Sequence, residues 1–274
     1  MKKLFPLIIT LLLFSCGSKT EQEIVNVNQQ VKVFTTMGEF VIELSNKTPK
    51  HRDNFIQLVE KGAYDSIAFH RAIPKFIVQA GDMFSRMSPE EELELIKNEH
   101  TLPAEIDTSL FHKKGSLSMA RIANIDLRSS GTHFTVQIGS VLSDSLLNGY
   151  EKSINRKRKL NYWLKMEQNQ KVLNRYVEAT QIGNWNNEIV SHLTDSILSI
   201  EGDPEGFNYY TIPQHQREFY KTEGGNAFLD QLYTVFGEVI QGMDVVEKIS
   251  QVAVDEKDWP LEDVRILTME LIEK

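Results

Sequence analysis

A second cysteine is missing: Cys16 is the only one among 274 residues, so no internal disulfide can form. A lone cysteine leaves the redox compartment open. Basic residues are outnumbered by acidic ones, 30 to 38, for a formal net charge of −8. No basic stripe with interleaved aromatics appears, so nucleic acid is not an expected partner. The longest apolar run, Leu4 to Phe14, is shorter than the roughly 20 residues a bilayer span requires. No internal repeat or low-complexity tract is present. His70 and His112 have no second histidine and carboxylate at metal-ligand spacing, so neither a metal nor another cofactor is expected, and both read as structural or exposed. Ser116 and Ser118 lack the context of a catalytic triad, and Gly81-Asp82 reads as a turn rather than a phosphate loop.

The N-terminus carries an address. Lys2 and Lys3 precede the short apolar run, and Ser15-Cys16 follow it, the arrangement of a secretory signal peptide over residues 1–15. Leu13-Phe14-Ser15-Cys16 resembles a bacterial lipoprotein box, which implies lipidation of Cys16. The expected location is then the cell envelope, anchored at a bacterial membrane and facing the periplasm or exterior. Residues 16–30 are polar and without apolar period, a flexible tether. The remainder, 31–274, reads as one domain with a helical insertion at about 141–210.

That domain begins with strand texture. Val31–Thr35 and Phe40–Leu44 flank Thr36-Met37-Gly38-Glu39, a hairpin signal. Thr48-Pro49 opens a helix with threonine as N-cap, Phe55, Leu58 and Val59 form its apolar face, and Gly62 ends it. Ser88 caps a short exposed helix over Glu90 to Asn98. Leu102 to Ile106 is extended, Gly115 to Ala120 a strand with one buried face, Ser129 to Thr132 a turn, and Phe134 to Gly139 the next strand. The insertion reads as two amphipathic helices broken near Gly183-Asn184. Its run Arg156-Lys157-Arg158-Lys159 is either a solvated helix face or a contact for anionic lipid or a partner. Tyr233 to Ile240 and Val264 to Leu271 are strands around a helix opened by Gly242-Met243-Asp244.

The stretch Phe69–Asp82, F-H-R-A-I-P-K-F-I-V-Q-A-G-D, sets Arg71 among Phe69, Ile73, Phe76, Ile77 and Val78. A guanidinium cannot deprotonate to escape burial and needs partners for its fork of donors. The pattern is that of an apolar pocket with a fixed cation at its rim, or of a core strand with one snorkelling arginine.

Four blocks in order resemble a cyclophilin-type peptidyl-prolyl cis-trans isomerase: Val33–Leu44 with Thr48–Gly62; Phe69–Asp82; His112–Ala120 with Gly131-Thr132-His133-Phe134; and Phe228–Asp230 through Val235–Val239 and Gly242–Val246. The resemblance implies a mainly β fold, an eight-stranded antiparallel barrel capped by two helices, with the pocket on its outer face. It implies that Arg71 is the catalytic arginine and that Gln79 holds it and the peptide backbone. Phe76, Ile77, Ala120, His133, Thr135, Phe228, Leu229 and Tyr233 become the substrate-binding set. Three of these depart from the family pattern: Ile77 replaces methionine, His133 a glutamine, and Thr135 the aromatic floor of the proline pocket. Phe228 in place of tryptophan implies weak cyclosporin binding, and Tyr233 in place of histidine keeps a hydroxyl donor.

The expected activity is isomerisation of X-Pro bonds in exported or envelope proteins, by a monomer that takes proline-containing polypeptides as clients. The altered floor and the insertion support an alternative, a low-turnover binding module or chaperone on the same scaffold.

Overall fold

The computed structural model describes residues 28–83, 101–180, 186–200 and 202–272. The signal peptide, Cys16, most of the tether, the helix expected over Glu90 to Asn98, and Gly183-Asn184 lie outside the described residues.

β-branched and aromatic residues form the strands where the alternation places them. The opening hairpin is β1 (Gln30–Thr35) with β2 (Gly38–Leu44), Val33 facing Phe40 across it. Gln30, expected at the end of the tether, already pairs with Glu43 and Ile272. Six further strands complete the main sheet: β3 (Arg71–Ile73), β4 (Ile77–Ala80), β6 (Ser116–Met119), β8 (Phe134–Gln137), β9 (Val235–Gln241) and β10 (Ile266–Ile272). Their order is β10-β1-β2-β9-β6-β8-β4-β3, every pairing antiparallel. The sheet curls until its edges meet. Ala68, just ahead of β3, bridges Arg265, just ahead of β10, and Phe69 N–H donates to the Val264 carbonyl at 2.8 Å. The expected turn at Ser129 to Thr132 instead contributes a two-residue strand, β7 (Ser129–Ser130), paired with β5 (Thr101–Leu102).

Among the described residues two helices pack on the barrel, α1 (Pro49–Glu60) and α6 (Met243–Ser250). Phe55 of α1 sits within 5.1–5.4 Å of the rings of Tyr64, Phe134 and Phe236, and all four are fully buried. Val245, Val246 and Ile249 of α6 join the same core. Gly242 begins α6 at φ +77, and a Cβ there would stand 2.5 Å from the Glu39 carbonyl oxygen.

Thr48 does not cap α1 as expected, and its buried hydroxyl has no partner among the described residues. The Glu105 carboxylate takes its place, accepting from the backbone N–H of Lys50 (3.2 Å) and His51 (3.0 Å). A carboxylate at the positive end of a helix satisfies orphan donors and the dipole together. The residue is 55 positions away, so no local motif announces it.

Among its described residues the insertion holds three helices where two are expected: α2 (Asp144–Leu164), α3 (Gln170–Ala179) and α4 (Asn187–Leu198). The extra break falls at Lys165 to Asn169, where Asn169 Nδ2 donates to the Trp163 carbonyl at 2.6 Å and satisfies a group the ended helix leaves open. Two residues of the basic run pair with carboxylates inside the insertion, Arg156 with Asp195 (3.0 Å) and Lys159 with Asp203 (2.9 Å). α5 (Gln214–Thr222) leads back to the barrel. Leu147 and Ile154 of α2, Tyr220 of α5 and Ala227 share one buried cluster, which ties the insertion to the turn at residues 227–229.

Replacing Phe55 by alanine removes the ring on which three others rest. A loss of about 3–5 kcal/mol is expected, read as a lower urea midpoint with an unchanged m-value.

Candidate functional site

One face of the sheet carries the core and the opposite face carries the site. Along β3, β4, β8 and β6 the residues facing one another are Arg71, Gln79, Thr135 and Ser118. Their neighbours Ala72, Val78, Val136 and Leu117 are buried on the other side. Period-two alternation in register therefore lines up four polar side chains across four strands on the outer face.

Arg71 is fixed from two sides. Its Nε donates to Asp258 Oδ2 at 3.1 Å, with both side chains 39% exposed. The Asp258 carbonyl also accepts from Ala72 N–H at 3.0 Å, so the 255–259 turn is stitched onto β3. Gln79, expected to hold the arginine, stands opposite it in the register, but the guanidinium bonds Asp258 instead. The link between β3 and β4 puts Lys75 at φ +60 and closes with Phe76 N–H on the Ile73 carbonyl at 3.1 Å. That turn presents the Phe76 ring 5.9 Å from the Arg71 guanidinium, a cation–π distance.

Phe76 stacks on Phe228 at 5.8 Å, and Tyr150 of α2 covers Phe228 at 5.5 Å. Phe228 and Leu229 lie on the short helical turn at Ala227–Leu229 and are half-buried. Tyr233 stands next to them, its ring 4.6 Å from the Arg121 guanidinium and 6.3 Å from the His112 ring. Ile77 is 4% exposed and stands opposite Gln137 in the register, on the same outer face as Gln79. Ala120 is held to the other wall, its N–H donating to the His133 carbonyl at 2.9 Å.

The floor is polar and filled. Thr135 Oγ1 lies 2.8 Å from Ser118 Oγ, and Gln137 Nε2 donates to both at 2.9 Å. Asn226 Nδ2 donates to Gln137 Oε1 (2.7 Å) and to the Phe76 carbonyl (2.8 Å). Thr135 stands where the family resemblance implies an aromatic floor. It is 7% exposed because a closed hydrogen-bond network occupies its side of the sheet.

His133 forms the opposite wall with His70 and Asp82. Its Nε2 is 3.9 Å from Asp82 Oδ1, its Nδ1 is 3.3 Å from Ser130 Oγ, and its ring meets that of His70 at 5.3 Å. Burial first, then neighbouring His133, lowers the His70 pKa to about 4, so its imidazole is neutral at physiological pH. Sequence spacing gave no metal site, yet the sheet brings ligand-capable atoms of His70, Asp82 and His133 within 4.8 Å of one another. His112, expected to be structural or exposed, is structural. It is 1% exposed, with Nδ1 2.9 Å from Asp230 Oδ1, while Tyr220 O–H donates to Asp230 Oδ2 at 2.8 Å.

Arg71 and Phe76 stand out in the sequence itself and the family resemblance implies Gln79, Phe228 and Tyr233, whereas Asp258, Gln137, Asn226 and Tyr150 come from the structure alone. No local pattern marks the last four: Asp258 reaches Arg71 from 187 positions away, Asn226 reaches Gln137 from 89, and Tyr150 meets Phe228 from another element. Together the groups make an apolar wall, a permanent cation whose η nitrogens make no hydrogen bond among the described residues, and a buried polar base. That set can hold a peptide and donate to one atom of it, without a nucleophile or a proton transfer.

The family model for the cyclophilin-type peptidyl-prolyl cis-trans isomerases matches residues 30–152 and 211–271, leaving 153–210 outside. A Staphylococcus saprophyticus protein described as a candidate peptidyl-prolyl cis-trans isomerase is 25% identical over 242 residues, 87% of this chain and 89% of that protein. A peptidyl-prolyl cis-trans isomerase of Acinetobacter baylyi is 33% identical over 119 residues, 43% of this chain and 60% of that protein. The crystal structure of a Cryptosporidium parvum cyclophilin-type isomerase matches the fold with a TM-score of 0.53 at 16% identity, covering 90% of this chain and 99% of that one. The same protein with the dipeptide Ala-Pro scores 0.52.

A histidine whose folded pKa lies below 6.5 binds its proton more readily when unfolded, so stability falls with pH through 6.5 and on toward about 4. Burial lowers His51 in the same direction. Unfolding midpoints measured from pH 7.5 to 4.5 should decline, and His70→Gln should decline less steeply.

Proposed function

Because the chain belongs to the cyclophilin-type peptidyl-prolyl cis-trans isomerase family, we propose that Arg71 and its aromatic wall catalyse rotation about X-Pro bonds of exported or envelope proteins. The X-Pro amide resists rotation because its C–N bond has partial double-bond character, with a barrier of ~18–20 kcal/mol. A donor to the prolyl nitrogen's lone pair uncouples it from the carbonyl. Arginine keeps its proton and its fork geometry at every relevant pH. The observation that carries the reading is the placement of Arg71: Nε occupied by Asp258, ring support from Phe76, and Phe228 stacked behind.

One charge-assisted hydrogen bond supplies about 1.5–3 kcal/mol net, while a 10⁵-fold acceleration requires about 7 kcal/mol. The difference falls to preorganisation: a guanidinium already held in place and a wall that excludes water from the twisted amide. Gln79 and the Ala120–His133 wall hold the peptide backbone in this reading, and the Phe76–Phe228 pair takes the proline ring. The Ala-Pro dipeptide with the Cryptosporidium parvum relative supports a proline-containing client. The envelope location rests on the lipoprotein-like box at Leu13–Cys16.

A second reading, a slow isomerase that works as a binding module, is favoured by the polar floor. Thr135, Gln137 and Asn226 supply hydrogen bonds where apolar contact would grip a ring.

A protease-coupled assay on a proline tetrapeptide separates the two. Arg71→Ala should lower kcat/KM by about 10²–10³-fold, the usual loss of a preorganised donor, with peptide affinity changed far less. Parent turnover equal to that of the variant sinks the enzyme reading and leaves the binding module. Fractionation of the producing cell tests the location: the parent should partition with membranes, and Cys16→Ser should release it.

A further inference from the structure

His70 ends the segment leading into β3, Asp82 follows β4, and His133 precedes β8, so three neighbouring strand ends converge on one spot. The convergence is a backbone property. Gly81 takes φ +92, and a Cβ there would lie 2.2 Å from the Thr132 carbonyl oxygen. The chain on either side of it is therefore pressed against the residue next to His133 without any choice of rotamer.

The side chains are arranged as ligands more than as an ion pair. At 3.9 Å, His133 Nε2 and Asp82 Oδ1 are too far apart for a hydrogen bond. Two ligands on one tetrahedral zinc stand about 3.3–3.6 Å apart, from bonds of about 2.0–2.2 Å, a few tenths of an ångström closer than this pair stands. Ser130 Oγ sits at 3.3 Å from the other ring nitrogen, Nδ1, the outer partner that orients a metal-bound imidazole. His70 Nδ1 is buried and has no hydrogen-bond partner among the described residues. A buried polar atom without a partner is a standing cost, and a metal ion, or water bound to one, beside this ring removes it.

We propose that His70, Asp82 and His133 bind one divalent transition-metal ion of the zinc type, and that the bound ion inhibits the isomerase site; the second half rests on the function proposed above. Two imidazoles and one carboxylate select late first-row cations over magnesium or calcium, which take oxygen ligands. Three protein ligands leave a fourth position for water or a client group. Inhibition follows from place. The ion engages the His133 nitrogen otherwise free to meet a peptide backbone, and it sets a dication beside Arg71, the residue after His70.

Calorimetric titration of the full chain with zinc chloride should show one saturable equivalent. Asp82→Asn and His133→Ala should each weaken it at least tenfold, since even outer-shell changes cost 10–100-fold. The unfolding midpoint of each zinc-free variant, compared with the parent's, shows whether it has folded. Cobalt substituted for zinc should give visible bands of a nitrogen–oxygen site in the parent and lose them in Asp82→Asn. Absence of saturable binding, or binding of equal strength in parent and folded Asp82→Asn, overturns the site. In the isomerase assay zinc should suppress the parent and a chelator restore it, while Asp82→Asn turnover, at whatever level, ignores zinc. Zinc that binds but leaves parent turnover unchanged overturns the inhibition alone. A parent with no turnover even under chelator overturns the isomerase reading and the inhibition, and leaves the metal site standing on calorimetry.

Discussion

One register holds the site together. Arg71, Gln79, Thr135 and Ser118 face one another across β3, β4, β8 and β6, and their side chains share the outer face only in that alignment. A slip of one residue in any of the four strands would send the polar row inward and Ala72, Val78, Val136 or Leu117 outward. The core forbids it, because Val78, Val136 and Leu117 lie within a single cluster with Phe55 and Phe134. Packing on the inner face thus fixes chemistry on the outer one. The same strands end at His70, Asp82 and His133, so the register also sets the distance between those three.

Much of this was legible in the chain because it depends on neighbours. The alternation in Val31–Leu44, the Thr48-Pro49 helix start and the apolar run around Arg71 are local patterns, and each element stands where its pattern lies. Failures of local reading share one cause. Glu105 caps a helix from across the barrel, Asp258 holds an arginine 187 positions earlier, and Asn226 reaches Gln137 from another turn. None of these partners has a local role that would mark it. Thr135 shows the same limit from the other side. Read alone, it is an aromatic lost from a pocket; read with Ser118 and Gln137, it is one member of a satisfied network.

The insertion bears on the pocket through packing. Tyr150 of α2 covers Phe228, and Leu147, Ile154 and Tyr220 hold the segment from which Phe228 projects. Two residues of its basic run, readable as a solvated face or as a contact for lipid or a partner, find Asp195 and Asp203 within the insertion. The helices therefore buttress one pocket wall, and Arg156 and Lys159 link segments of the insertion to one another.

A site of this kind makes conflicting demands on its cation. The guanidinium must be immobile, because a donor that reorganises during the reaction loses its advantage. It must also keep donors open for the substrate. Asp258 meets both demands by binding Nε, which leaves the η pair without a hydrogen bond among the described residues. Partial exposure, 39% on each side chain, limits how much of that ion pair contributes to stability. Its worth lies in orientation. The carbonyl of the same residue also anchors β3, so one turn fixes strand and side chain together, and Arg71 can be moved only by moving the edge of the sheet.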